Sequence, residues 1–264
     1  MRHICKVFTL ALLLLACAGP FRAEAANQGF RPPKSVLDIS KENTYPNPTQ
    51  DLPRLQPSKL AAELLKSSPI SIENPDLIRI LNETSVSNAP LAVGYRAKVY
   101  LGQWPLNYES VRTAVNWEYQ QINRNYLDNR GGKDYQHLRY NQETQRIIQG
   151  GLTARINRAE DVKKMMLLKA MEKTNLPLAF QTVIGYGTKH SRVYNVAPKH
   201  LGYLSAYAPA VNEKGKVTFG EVYLVLKGNK RSLMIKNVTS QGIGAWIPVQ
   251  DHVSFGFMGS RTPR

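Results

Sequence analysis

LAVGYRAKVYLGQW, residues 91–104, decides the fold class. Val93, Tyr95, Ala97, Val99 and Leu101 alternate there with Arg96, Lys98 and Tyr100. That period of two is what a strand produces, because successive side chains point to opposite faces. The pattern continues downstream. TAVNWEYQQINRNYL (113–127) alternates through Thr113, Val115, Trp117 and Tyr119, and HLRYNQETQRII (137–148) through Leu138, Tyr140, Gln142, Thr144, Arg146 and Ile148. Asn129-Arg130-Gly131-Gly132 lies between these two runs and supplies glycines for a turn, which predicts a long hairpin of 113–127 against 137–148. GKVTFGEVYLVLKG (215–228) and RSLMIKNV (231–238) are expected to pair across Gly228-Asn229-Lys230, Asn212-Glu213-Lys214-Gly215 to turn, and IGAWIPVQDHVSFGF (243–257) to close the sheet.

One helical pattern interrupts the strands. Asn157-Arg158-Ala159-Glu160 reads as a capping box opening a helix over about 157–174. Val162, Met165, Met166 and one of the pair Leu167-Leu168 share a side, a pattern read as packing against a sheet. Two short helices come earlier. Ser58 caps KLAAELLKSS, and Asn74-Pro75-Asp76 combines an N-cap, a first-turn proline and an acid at the positive end of the helix dipole. The expected fold is therefore α+β: a β-rich domain with long antiparallel hairpins and one main helix, preceded by two short N-terminal helices. The expected divisions are 1–25 as a signal peptide, 26–56 as an extended proline-rich segment, 57–90 as short helices packing on the main domain, and 91–264 as a basic β-rich domain.

The first division rests on MRHICKVFTLALLLLACAGPFRAEA. Arg2 and Lys6 precede twelve uncharged residues, Val7 to Ala18, which is shorter than the ~20 that a spanning helix needs. Gly19-Pro20 and the A-x-A of Ala23 and Ala25 follow, so cleavage is expected between Ala25 and Ala26. Leu14-Leu15-Ala16-Cys17 resembles a lipobox and keeps open the alternative of a lipoprotein anchored at Cys17. Either way the protein is expected outside the cytoplasmic membrane, secreted or associated with the envelope, with no transmembrane helix in the mature chain. Both cysteines, Cys5 and Cys17, lie in this leader. Cleavage after Ala25 removes disulfides, thiolate nucleophiles and cysteine-based metal sites together.

Charge is segregated. Residues 26–90 hold seven Lys/Arg and seven Asp/Glu, whereas 91–264 hold 25 against 11, a net of +14. A field of one sign concentrates the opposite charge, so the expected partner is an anionic cell-wall polymer or an anionic membrane surface. Nucleic acid is not expected of an exported chain. The polyanion-binding candidates are Lys98, Arg124, Arg139 and Arg146 for charge, with Tyr119, Tyr126 and Tyr140 for amphipathic contact. An assembly or chaperone-like partner of another exported protein, recognisable by an exposed sheet edge, and a hydrolase of wall glycan or peptide are the competing readings.

No nucleophile elbow, phosphate loop, H-E-x-x-H, EF-hand or dinucleotide fingerprint occurs, and Gly185-Tyr186-Gly187 reads as a turn. His137, His190, His200 and His252 lack metal-ligand spacing. Asp251-His252 with Ser240 or Ser254 names a triad only in composition, since geometry defines one. Glu118 and Glu143 would serve a glycosidase only at ~5–5.5 Å or ~6.5–9.5 Å separation. No catalytic residue, metal or cofactor is assigned, and the reading leans away from an enzyme.

YRAKVYLGQWPLNYES (95–110), NWEYQQIN (116–123), RAEDVKKMM (158–166), NEKGKVTFGEVYLVLKG (212–228) and VTSQGIGAWIPVQDH (238–252), with DLPRLQPSKL (51–60) upstream, together resemble the YfkD-like family of exported proteins from Gram-positive endospore formers. The resemblance implies secretion and a similar length. It carries no activity, cofactor or site residue across.

Overall fold

The computed structural model describes residues 30–49, 55–84 and 96–262. The leader, both cysteines and the first residues of the 91–104 run lie outside them. Thirteen elements follow in chain order: β1 (Val36–Asp38), α1 (Lys59–Ser67), α2 (Pro75–Glu83), β2 (Arg96–Asp128), β3 (Gln136–Asn141), β4 (Arg146–Gln149), β5 (Gly151–Leu152), α3 (Ala159–Thr174), β6 (Gln181–Ile184), β7 (Lys189–Val196), β8 (Leu201–Lys227), β9 (Lys230–Pro248) and β10 (His252–Ser260). The architecture is broadly α+β, mostly antiparallel sheet with three helices.

The sheet is a ribbon of very long strands with β8 at its centre. At ~3.3 Å per residue its 27 residues span roughly 90 Å of contour. Along one edge β8 pairs with β2 from Arg96↔Lys227 to Asp128↔Leu201. Along the other it pairs with β10 over residues 201–207 and with β9 over 210–227. Pro209 falls between the two partners. It has no N–H to donate, so it fits where the ladder changes hands; its carbonyl accepts from the Val249 amide at 3.0 Å. The tight turn between Lys227 and Lys230 joins β8 to β9, with Gly228 at φ 57.

Three sequence expectations are corrected. Residues 113–127 do not pair with 137–148: the former run on β8, while β3 pairs with β7 and β4 with β6 as separate two-stranded sheets. Residues 212–215 are not a turn but the interior of β8. The start of α3 is not a capping box. Its N-cap is Arg158, left-handed at φ 50 with no side-chain cap, and it is held by its guanidinium lying 3.5 Å over the Trp104 ring and by an ion pair to Asp161.

The helices and small sheets form a continuous layer over one face of the ribbon. In α1 and α2, Ala61, Leu64, Leu77 and Leu81 pack on Trp104, Leu106, Val222 and Leu224. In α3, Val162, Met165, Met166, Leu167 and Ala170 pack on Val211, Val217, Phe219 and Ile243. The small sheets place Leu138, Tyr140, Ile148 and Ile184 against Leu204, Ala206 and Phe255. Residues 30–49 strap the far end: Asn43 and Asn47 each donate to the Asp251 carboxylate and the Val183 carbonyl at 2.7–2.9 Å.

Lys164 of α3 meets Asp76 of α2 at 2.7 Å and joins the helices. Burial alone would raise the Asp76 pKa, but the hydrogen bond and charge of Lys164, with Arg79, overcome it and hold the carboxyl below its ordinary value of 3.8. A depressed acid stabilises the fold above the unfolded value and loses that contribution as pH falls through the folded one. Asp76→Asn is therefore expected to cost about 0.5–1 kcal/mol near neutral pH. In urea denaturation the gap from wild type should close as pH drops below 3.8; a gap constant with pH would reject this role for the ion pair.

Candidate functional site

Side chains directly across a ladder share a face, so the register defines what the uncovered side of the ribbon presents. Rows along it read Arg96, Lys227 and Lys230; Lys98, Val225 and Ser232; Tyr100, Tyr223 and Met234; Gln103, Glu221 and Lys236; Glu109, Lys216 and Gly242; Arg112, Lys214 and Gly244. Past the Pro209 handover come Arg124 with Ser205 and Gly256, then Tyr126 with Tyr203 and Met258. Arg96, Lys98, Arg112, Arg124, Lys214, Lys216 and Lys236 are exposed. Tyrosines interleave with them: Lys98 lies 4.8 Å over the Tyr223 ring and Arg124 4.5 Å over Tyr203, while Tyr100 and Tyr126 pack tilted against those same rings and remain about half exposed. The ring faces attract and position these cations, and Lys98 and Arg124 remain exposed there.

The seven sequence-derived candidates do not form one surface. Lys98, Arg124 and Tyr126 lie on the open face. Tyr119 is half-buried and stacks on Trp246 at 4.9 Å. Arg139 is exposed on β3, in a different sheet, and Arg146 on β4 donates from Nε to the Ile122 carbonyl at 3.2 Å. Tyr140 requires correction: it is buried, edge-on to Phe255, with its hydroxyl donating to Gln142, and burial pushes its pKa up. It offers nothing to a surface ligand. Conversely, Arg112, Lys214, Lys216, Lys236, Tyr100 and Tyr223 join the open face although sequence reasoning did not select them. The signal is present in the alternation, but register shifts in β2, and between Phe219 and Glu221 in the β8–β9 ladder, change its parity, so spacing alone does not carry it along the strands.

The same parity shift builds a buried polar cluster on the covered side. A register irregularity between Ser110 and Arg112 throws Val111 outward, 75% exposed, and brings Thr113 onto the face already occupied by Tyr108 and Ser110. All three hydroxyls then converge on Glu213, which is fully buried. Tyr108 donates at 2.9 Å, Thr113 at 2.6 Å, and Ser110 donates to the same oxygen as Tyr108. No ion pair within 4.0 Å neutralises Glu213 among the described residues; a cation reaches it through Ser110, whose Oγ accepts from Lys173 Nζ at 2.8 Å. Burial first, and then the Glu213 charge, raise the Tyr108 pKa, so its hydroxyl remains a donor. At Gly215 a Cβ would lie 2.5 Å from that hydroxyl, so glycine leaves the room Tyr108 needs to reach across.

The catalytic combinations come apart. The Asp251 carboxylate is occupied by Asn43 and Asn47, and His252 Nδ1 faces the Gln250 carbonyl at 2.8 Å. Ser254 is buried on β10, while Ser240 lies far off on β9 beside Thr218. Glu143 accepts from Asn125, seven residues along β2 from Glu118, so the two acids do not face each other. His190 Nδ1 accepts from the Arg192 amide and His200 Nδ1 faces the Pro198 carbonyl. Among the described residues, no helix is long and apolar enough to cross a membrane.

A family model described as YfkD-like protein matches residues 33–264. The chain belongs to the YfkD-like family. It is 63% identical over 261 residues to a Bacillus subtilis (strain 168) protein described as "Uncharacterized protein YfkD", which covers 98% of this chain and 99% of that relative. That description assigns no ligand or reaction, so the reading of this YfkD-like chain rests on its own geometry. The Glu213 cluster, in particular, reads as an anchor between β8, β2 and the end of α3. Glu213→Leu leaves three hydroxyls without their acceptor and is expected to cost about 2–4 kcal/mol in urea denaturation, whereas Glu213→Gln keeps a carbonyl acceptor and should cost roughly half as much. Equal losses would show that the hydroxyl ring does not recognise the acceptor.

Proposed function

We propose that this YfkD-like protein is exported and works at the cell envelope as a non-enzymatic binder of an anionic wall polymer or anionic membrane surface, through the open face of its ribbon. The observation that carries the reading is the run of exposed cations interleaved with tyrosines on that face, including Lys98 over Tyr223 and Arg124 over Tyr203. Cations of one sign on a solvated face attract a polyanion at long range, and rings beside them add amphipathic contact. Export is supported by the basic start, the short apolar run and the A-x-A site ahead of Ala26.

A second reading, an assembly partner for another exported protein, draws on one feature. The seven residues Lys236–Gly242 of β9 are consecutively exposed. Their ladder runs to β8, and among the described residues the other edge is met beyond this run, by β5 at Ala245 and Trp246 and by the Thr153 amide at the Gly244 carbonyl. A strand edge of this kind is suited to adding another strand.

Two measurements test the proposal. Intact mass of the protein recovered from culture should correspond to a chain beginning at Ala26; a diacylglyceryl group on Cys17 would move it to the lipoprotein route, and a full-length cytoplasmic chain would end the export reading. Co-sedimentation of the mature protein with isolated cell walls and with anionic vesicles should decline steeply with salt. About four neutralised phosphates weaken binding on the order of 100-fold between about 50 and 200 mM salt. Stripping anionic polymers from the walls should abolish wall binding. Binding indifferent to salt and stripping would favour the protein-partner reading.

A further inference from the structure

We infer that Lys98, seated over the Tyr223 ring, and Lys236 of β9 form a phosphate subsite, and that the open face takes a linear phosphodiester polymer rather than a flat membrane. The inference rests on the proposed function and narrows it to a chemistry and a place.

The subsite is assembled from β2, β8 and β9. Tyr100 and Tyr223 pair across the ladder with ring centroids 5.0 Å apart, and Lys98 reaches over the Tyr223 ring from one side. Lys236, from β9, lies opposite Glu221 in the register, at the hydroxyl end of Tyr223, so the two lysines flank that ring. Partial desolvation and this neighbouring positive charge together hold the Lys98 pKa below the ordinary lysine range. Two like charges held together repel, so a compact anion between them removes a cost that already exists in the free protein. One acid adjoins the pair, Glu221, opposite Lys236 in the register. Its carboxylate accepts from Asn237 and from the Tyr223 hydroxyl at 2.8 Å; these bonds, with the nearby Lys236 charge, hold its pKa below the ordinary value, and it makes no ion pair within 4.0 Å with either lysine among the described residues. Arg96, Lys227 and Lys230 follow at the same end of the ribbon. A tetrahedral phosphate offers several acceptor oxygens to two ammoniums at once, and such charge-assisted bonds are the strong ones.

The shape of the face favours a chain over a bilayer. Paired strands rotate by about 20–25° relative to one another, and bulges increase the twist locally. Five register shifts interrupt the β2–β8 ladder. A face of roughly 90 Å contour twisted in this way meets a plane at one end only. A flexible linear polymer can follow the twist from Lys98 through Lys216, Lys214 and Arg112 to Arg124.

The test uses the mature protein and three probes: inorganic polyphosphate as a linear phosphate chain, poly-glutamate as a linear carboxylate, and anionic phospholipid vesicles. Lys98→Gln/Lys236→Gln should weaken polyphosphate binding about tenfold or more, the equivalent of one charge-assisted hydrogen bond. It should also lower the salt slope by roughly 1–2. Arg112→Gln/Lys216→Gln, which removes the same charge from the middle of the face, should cost about threefold or less, as expected of exposed charges acting only through the general field. Both pairs are exposed, so circular dichroism should show every variant folded. Polyphosphate should raise the thermal midpoint of wild type and not that of the Lys98/Lys236 variant. Equal losses in the two double variants would overturn the subsite and leave the open-face reading intact. Tighter binding to vesicles or to poly-glutamate than to polyphosphate would overturn the phosphodiester assignment. Failure of wild type to bind any of the three would overturn the open-face reading itself, and the subsite with it.

Discussion

Every other feature of this protein depends on the need to pair the backbone of β8 along both edges. A strand of 27 residues with an unpaired edge would expose or strand more than a dozen amides and carbonyls, and a buried unpaired group costs about 1–3 kcal/mol. β2 satisfies one edge from end to end. The other is shared by β9 and β10, which act as a single strand interrupted by a turn at 249–251, where Asp251 takes a left-handed conformation. Pro209 occupies the point at which neither needs a donor from β8. Once this ribbon exists, one face must be covered, and the helices and small sheets are distributed along it as three adjoining apolar clusters.

Covering one face separates the polar groups into two populations. On the covered side, polar atoms have to be satisfied internally, and Glu213 is the extreme case. Desolvating a carboxylate costs several kcal/mol, and here three hydroxyls offset that cost without a direct counter-ion. The cluster also explains local sequence that looks arbitrary in isolation: the outward Val111, the hydroxyls at 108, 110 and 113, and the glycine at 215. On the open side, water screens the cations, so a surplus of positive charge is tolerated at little cost to folding and remains available to a partner.

Polar contacts also fasten the layer to the ribbon. Asn74 caps α2, with its Oδ1 accepting from Asp76 and Leu77, while its Nδ2 donates to the Pro105 carbonyl of β2 at 2.8 Å. One side chain thereby starts a helix and docks it. Asn43 and Asn47 do similar work for the N-terminal strap through Asp251. These contacts use Asp251 structurally, and their presence, rather than a lack of suitable residue types, is what keeps the Asp251-His252 pair from forming a triad.

The sequence by itself determined the elements whose signals are local. Ser58 and Asn74-Pro75-Asp76 mark α1 and α2, the Val162–Met165–Met166 stripe marks the buried side of α3, and the period-two runs mark β2, β8 and β9. Each depends on neighbours within a few residues, where capping, helical spacing and pleat leave a readable trace. The tertiary structure alone decided which strands meet. Residues 113–127 find β8, some ninety positions away, rather than the run that follows the nearest glycine turn, and no local pattern encodes that choice. It alone also decided which side each residue serves. A single bulge at Val111 reverses the alternation, sending Thr113 toward Glu213 and Arg112 toward solvent, and the packing of the small sheets buries Tyr140 while leaving Tyr100 and Tyr223 on the open face. Side-chain parity along a strand survives only as far as the next register shift, and where that shift falls is set by the partner strand.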